Sequence, residues 1–214
     1  MSFWEQSWGN IDLTKIQAYT EDFDFEVDDI IRILKDKQCH NVLDAGCGCG
    51  IYALKLAKHG FNVDGFDVAE SAADIAGKLM IDNGFDGRFF TADTKDTGLA
   101  SESYDAVIYR DVIDHMTKTD AQHAMKELLR ITRKDGLVIV MVDSLDEEYV
   151  TEPHIVDDEG NYCFTEGKWN GMVFHPYDEN ELRDIVGDNV EHHISAIEDG
   201  FMLICKKYAE NERE

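Results

Sequence analysis

Three glycines at alternate positions, set between an apolar run and a helix-compatible segment, constrain this chain more than any other feature. Val42 and Leu43 lead into Asp44; Gly46, Gly48 and Gly50 follow; then Tyr52, Leu54, Leu56 and Ala57 begin a helical pattern. The stretch reads strand, tight turn, helix. Glycine suits such a turn because the chain must bend sharply and let a ligand approach its backbone with no Cβ in the way. The first helical turn then presents free N–H groups. A dinucleotide fingerprint spaces its glycines G-x-G-x-x-G, whereas here the spacing is G-x-G-x-G with Ile51 beyond. Asp44, two residues before the first glycine, suits a ligand bearing an amino group or hydroxyls better than one bringing a pyrophosphate there.

Further acids fall at the ends of predicted strands. Phe61–Asp67 reads as a second strand closed by Asp67, about twenty residues past the glycines, where doubly wound nucleoside-binding folds place a carboxylate for the ribose hydroxyls. Gly87–Asp93 reads as a third strand, again ending in an acid. Ligands of open α/β sheets bind along that carboxyl edge.

At Asp44 to Gly50 the chain resembles the class I S-adenosylmethionine-dependent methyltransferases, whose first motif reads acid-x-G-x-G-x-G. The resemblance extends over residues 40–205. It implies an α/β fold: a doubly wound, Rossmann-like, seven-stranded and mostly parallel sheet with an antiparallel C-terminal hairpin strand and helices on both faces. It implies S-adenosyl-L-methionine as cofactor. Asp44, Ala45, Gly46, Cys47, Gly48 and Gly50 would surround it at the glycine turn, and Asp67 and Val68 would meet its ribose and adenine. Ala92, Asp93 and Thr94 would sit at the exocyclic amine, and Arg110 and Asp111 at the end of the fourth strand. The strand Tyr104–Arg110 followed by Asp114-His115 fits the family's fourth strand and acid-His pair. Lys134-Asp135-Gly136 is a turn where the family commonly has proline-glycine-glycine.

The rest of the chain supplies the layers. Helices are predicted over 24–37, 51–59, 71–83 (with Ser71 able to cap it), 119–132 and 178–187 from their apolar periodicity. Leu137–Val142 is almost continuously apolar, as a central parallel strand buried on both faces must be. Val190–Ile197 and Phe201–Lys206 flank Glu198-Asp199-Gly200, a hairpin signal. Residues 1–37 are expected to form an N-terminal helical cap over the cofactor and substrate pocket, and 38–209 the methyltransferase domain. Within it, 143–177 is expected to be a lid or substrate-binding insertion, since long loops in compact domains are often binding loops.

Methyl transfer needs in-line alignment, exclusion of water and, where required, removal of a proton, so few residues declare themselves. His115 is the candidate base because imidazole titrates near neutrality, with Asp111 and Asp114 beside it. Trp4, Trp8 and Tyr19 from the N-terminal segment, and Trp169 and His175 from the insertion, join His115 as candidates for the acceptor pocket. With Tyr162 and Phe174, the acidic insertion suits a small acceptor that is aromatic or positively charged. Forty-five acids against 20 Lys and Arg give a net charge of −25, which repels phosphate backbones and argues against nucleic acid. Five cysteines without a paired zinc spacing suit a reducing cytosol and no metal site. The absence of a leader or membrane-length apolar run leads to the expectation of a cytoplasmic protein, monomeric or homodimeric, acting on a small molecule. Two alternatives remain: an NAD(P)-dependent oxidoreductase on a Rossmann sheet, against which the glycine spacing and terminal hairpin speak, and a catalytically silent S-adenosylmethionine-binding regulatory protein.

Overall fold

The computed structural model describes residues 2–11, 16, 24–187 and 190–207. Its centre is a seven-stranded sheet: β1 (Asn41–Ala45), β2 (Asn62–Asp67), β3 (Phe89–Thr91), β4 (Tyr104–Arg110), β5 (Thr132–Asp143), β9 (Glu191–Ile197) and β10 (Gly200–Lys206). The strand order is β3-β2-β1-β4-β5-β10-β9. β1 to β5 run parallel, and β10 is antiparallel to both β5 and β9. The order reverses between β1 and β4, and a crevice opens at such a switch point. The glycine turn after β1 and Asp111 after β4 flank it.

Period-two alternation divides the strand residues between two cores. Val107, Tyr109, Val138 and Val140 join one core with Leu128 of α5 (Lys118–Ile131) and Leu182 of α7 (Glu179–Val186). Ala106, Ile108, Leu137 and Ile139 face the other, with Ile30 and Leu34 of α2 (Asp24–Asp36) and Leu56 of α3 (Ile51–Lys58). Each such aliphatic side chain, fully withdrawn from water, contributes about 1.5–3 kcal/mol. Helices on both faces follow from a sheet apolar on both sides.

Local departures from the predicted elements have physical reasons. Residues 1–37 are expected to be a helical cap, but periodicity marks no single helix before residue 24; Phe3–Gly9 is a helix, α1, capped where the Ser2 hydroxyl accepts the Glu5 N–H at 3.2 Å. Its stability comes from docking, because no residue within it is fully buried. α4 (Glu70–Asp82) has Ala69 at its cap position, not Ser71. The Ser71 hydroxyl is buried without a partner, and its N–H donates instead to the Glu5 carboxylate of α1 at 3.3 Å. Over Lys134-Asp135-Gly136 the chain does not end its pairing. The β4–β5 ladder skips from Tyr104↔Thr132 to Ala106↔Leu137, and Asp135, at φ 60, donates its N–H to Lys207.

The insertion carries its own small antiparallel sheet, β6 (His154–Val156), β7 (Tyr162–Phe164) and β8 (Val173–Phe174), preceded by the short helix α6 (Glu147–Thr151). β7 and β8 pair as a hairpin, in keeping with the aromatic residues in Tyr162–Phe164 and Val173–Phe174; β6 adds an edge strand that the sequence does not announce. Phe164, Met172 and Phe174 form its buried centre, against which Phe3 and Trp4 of α1 pack together with Tyr149 and Trp169.

Candidate functional site

All three alternate glycines adopt positive φ, +69° at Gly46, +49° at Gly48 and +81° at Gly50, a backbone that side-chain-bearing residues rarely take. Space excludes a Cβ as well: at Gly46 it would lie 2.4 Å from Val112 and at Gly48 2.7 Å from the Trp8 ring. The loop is therefore held between the segment after β4 and α1. Carboxylates brace it from below. Asp67 accepts the Gly48 N–H through one oxygen and the Ala69 N–H through the other, both at 2.9 Å. Asp44 accepts the Ala53 N–H from the first turn of α3 at 3.1 Å. Burial raises the pKa of both carboxyls, that of Asp44 to about 7 against the pull of the Ala53 bond.

Two cavities meet over this loop. One, of about 210 Å³, is lined by Asp67, Val68, Asp93 and Thr94 with Val112, Met116, Lys95 and Asp120. The other, of about 720 Å³, is lined by Asp44, Cys47, Gly48, Cys49 and Tyr52 on the loop side and by Arg110, Asp143, Tyr149, Trp169 and Met172 opposite. Trp4, Trp8, Gly46, Asp111 and His115 belong to both. The narrow junction is thus built from the glycine turn, the end of β4 and α1.

His115 ends a 3₁₀ turn, Ile113–His115. Its ring lies edge-on to Trp4 at 4.8 Å and tilted against Phe174 at 5.7 Å. Nδ1 is 3.3 Å from the Val173 carbonyl oxygen, which can only accept, so Nδ1 carries the hydrogen and Nε2 keeps a lone pair. Burial lowers its pKa to about 4, which leaves the ring neutral at physiological pH. Asp111, at φ 51, pairs with Arg110 at 2.5 Å, and the Arg110 guanidinium stands 5.1 Å over the Tyr52 ring.

A methyltransferase-domain family profile matches residues 42–136, which span β1 to the start of β5. Over that stretch the chain is similar to the methyltransferase domains that the profile describes. A ubiquinone biosynthesis O-methyltransferase of Rickettsia conorii is 29% identical over 99 residues, 46% of this chain and 33% of that protein. The chain thus spans about a third of the length of that curated relative. A solved S-adenosylmethionine-dependent methyltransferase from Clostridium acetobutylicum superposes with a TM-score of 0.68 at 14% identity, covering 92% of this chain and 97% of its own. The magnesium protoporphyrin IX methyltransferase of Synechocystis, solved with bound S-adenosylmethionine, gives 0.59 at 20% identity, covering 85% and 78%. At these identities the two structures speak for the fold.

Several residues singled out from the sequence lie elsewhere than on the cavity walls. Asp114 is fully buried behind the wall: one oxygen accepts the Asp143 N–H at 3.2 Å, the other has no partner, and burial pushes its carboxyl up to about 7. It positions strand ends and lines neither cavity. His175 is buried between Asn161, at 3.0 Å from Nδ1, and Glu181, at 3.4 Å from Nε2, so packing removes it from the cavity walls. Its backbone N–H donates to the Asp114 carbonyl at 2.6 Å. Ala45 is wholly within the core and Ala92 holds the Asp67 carbonyl through its N–H at 3.0 Å. Tyr162 stacks on His154 at 4.8 Å, and Phe174 is sealed inside the insertion. Tyr19 falls outside the described residues.

Sequence reasoning missed Asp143, Tyr149 and Met172. The strand-end rule that singles out Asp44, Asp67 and Asp93 reaches Asp143 too, as the last residue of β5. Carboxylate oxygens of Asp111, Asp114 and Asp143 all lie within 4.8 Å of one another, a spacing at which one positive charge can sit between them. The Arg110 guanidinium stands beside this group. Among the described residues no helix is long and apolar enough to cross a membrane.

Proposed function

We propose that this chain binds S-adenosylmethionine across the two cavities and transfers its methyl group to a small-molecule acceptor. The observation that carries the reading is the junction itself: a glycine loop with no room for a Cβ, flanked by a nucleoside-type carboxylate, Asp67, on one side and by Asp44 and Arg110 on the other. Asp67 and Asp93 fit the ribose hydroxyls and the adenine amine, and Val68, 53% exposed, offers an apolar surface beside them. Asp44 and Arg110 fit an amino-acid moiety, one opposite its ammonium and the other opposite its carboxylate. Bound there, the cofactor supplies an electrophilic methyl carbon on a sulfonium.

The protein's part is positioning. Trp8 covers the loop at Gly48, and Trp4 lies edge-on to His115, which lines both cavities and keeps a lone pair on Nε2. A neutral imidazole there can accept a hydrogen bond from the acceptor and fix its lone pair in line. The small-molecule acceptor accords with the size of the 720 Å³ cavity and with the O-methyltransferase likeness. Calorimetric titration with S-adenosylmethionine and S-adenosylhomocysteine, with NAD and NADP as controls, tests the reading. Binding of the adenosyl ligands alone, lost in Asp67→Ala, is the expected result. A preference for a nicotinamide cofactor would replace the reading with an oxidoreductase.

A further inference from the structure

The larger cavity carries information about its second occupant. Beyond the glycine loop its walls are aromatic, with Trp4, Tyr149 and Trp169 brought together by the insertion sheet. Tyr149 and Trp169 meet edge to face at 5.5 Å, and Tyr149 leans on Phe174 at 4.6 Å, so the rings are fixed by their own packing. With Asp44 and Arg110 set against the cofactor's amino-acid moiety, the charged residues left lining the cavity are Asp111 and Asp143. A neutral histidine, not an imidazolium, faces the same space.

Such a wall discriminates between nucleophiles by the charge each develops. A hydroxyl or carboxyl acceptor must become more negative as its proton leaves, and adjacent carboxylates oppose that. An amine becomes positive as it attacks, and carboxylates and aromatic faces stabilise the developing charge. We infer that the acceptor is a small amine, its nitrogen held between Asp143 and the Trp4, Tyr149 and Trp169 rings. This rests on the cofactor reading above and deepens it. The amine enters having given a proton to solvent; its lone pair forms the C–N bond while the methyl–sulfur bond breaks and leaves its electron pair on sulfur. The product nitrogen carries the positive charge until it sheds a proton to solvent. Asp143 acts on the charge and does not take part covalently.

The test uses the protein saturated with S-adenosylhomocysteine, whose own affinity is measured first. Calorimetry then compares 2-phenylethylamine and its trimethylammonium analogue with 2-phenylethanol and 3-phenylpropionate, ligands of similar shape and different charge. The cationic pair is expected to bind at least about tenfold more tightly than the alcohol, as a desolvated cation over aromatic rings would, and the carboxylate not at all. Asp143→Asn is expected to abolish that preference while S-adenosylhomocysteine binds as before, and Trp169→Leu to weaken amine and alcohol together. Equal or tighter binding of the alcohol or carboxylate, an undiminished preference in Asp143→Asn, or no binding of either cation at millimolar concentration overturns the amine assignment and leaves the cofactor reading standing. Failure of S-adenosylhomocysteine to bind overturns both.

Discussion

Asp114→Asn isolates the cost of holding a buried carboxyl next to two other acids. Burial raises this group from the ordinary aspartate value of 3.8 to about 7 against the pull of the Asp143 N–H bond and of Arg110, the Asp143 carboxylate adding to the rise. The hydroxyls of Tyr149 and Tyr177 also face it and stay protonated throughout the range at issue. Between those two values the folded protein keeps the proton that the unfolded chain has released. Stability contributed by the group is therefore complete below pH 3.8 and is lost as pH rises to 7. A tenfold difference in proton affinity between the folded and unfolded chain is worth about 1.36 kcal/mol, so between pH 5 and 8 the wild type should lose roughly 2–3 kcal/mol through Asp114 alone. Asparagine exchanges no proton, and whatever it costs in packing or hydrogen bonding is the same at every pH. Urea denaturation of both proteins at pH 5, 6, 7 and 8 reads the difference, in which the other titrating groups cancel. The variant should gain on the wild type by that amount as pH rises. A difference independent of pH, or one moving in the opposite direction, would refute the reasoning.

Three further outcomes follow from the same geometry. Gly48→Ala sets a Cβ 2.7 Å from the Trp8 ring at φ +49°; the backbone alone costs about 1–2 kcal/mol, and thermal melts should show Trp8→Ala recovering only the steric part. Glu127 accepts from Arg130 and from the Thr97 hydroxyl and N–H, and the Arg130 contact foremost holds its carboxyl down at about 2. Its stabilisation is present above pH 4.5 and lost as pH falls toward 2, so the destabilisation of Glu127→Gln should shrink across that window in acid titrations followed by circular dichroism. Glu5→Ala removes the tie from α1 to the Ser71 N–H, and titration calorimetry should find weaker S-adenosylhomocysteine binding with the melting temperature changed by no more than a surface substitution changes it.

The sheet was legible because its signals are local. Gly46, Gly48 and Gly50 declare their turn through a backbone that residues with a Cβ rarely take, and the run Leu137–Val142 declares a strand covered on both faces. The bounds of α1 are illegible for the opposite reason: its seven residues carry no apolar stripe, and the Ser2 cap, the Ser71 N–H donated to Glu5 and the insertion aromatics hold it in place from outside the segment. β6 escaped notice because Ile155 and Val156 are exposed, 61% and 53%, so no alternation marks the strand. The acid-His pair was legible as a pair but not in its division of labour. A 3₁₀ turn sends Asp114 inward and His115 to the cavity, and that depends on Val173 and His175, almost sixty residues away. Asp143 was masked by standing at the border between a strand and an irregular segment.

The link between the insertion and the turn that bears His115 runs through main-chain atoms on the insertion side: the Val173 carbonyl accepts from the ring, and the His175 N–H donates to Asp114. Neither bond depends on which side chains the insertion displays. The wall facing the acceptor can therefore change its residues while the imidazole keeps its place, so that recognition and alignment are free to diverge separately within one lineage.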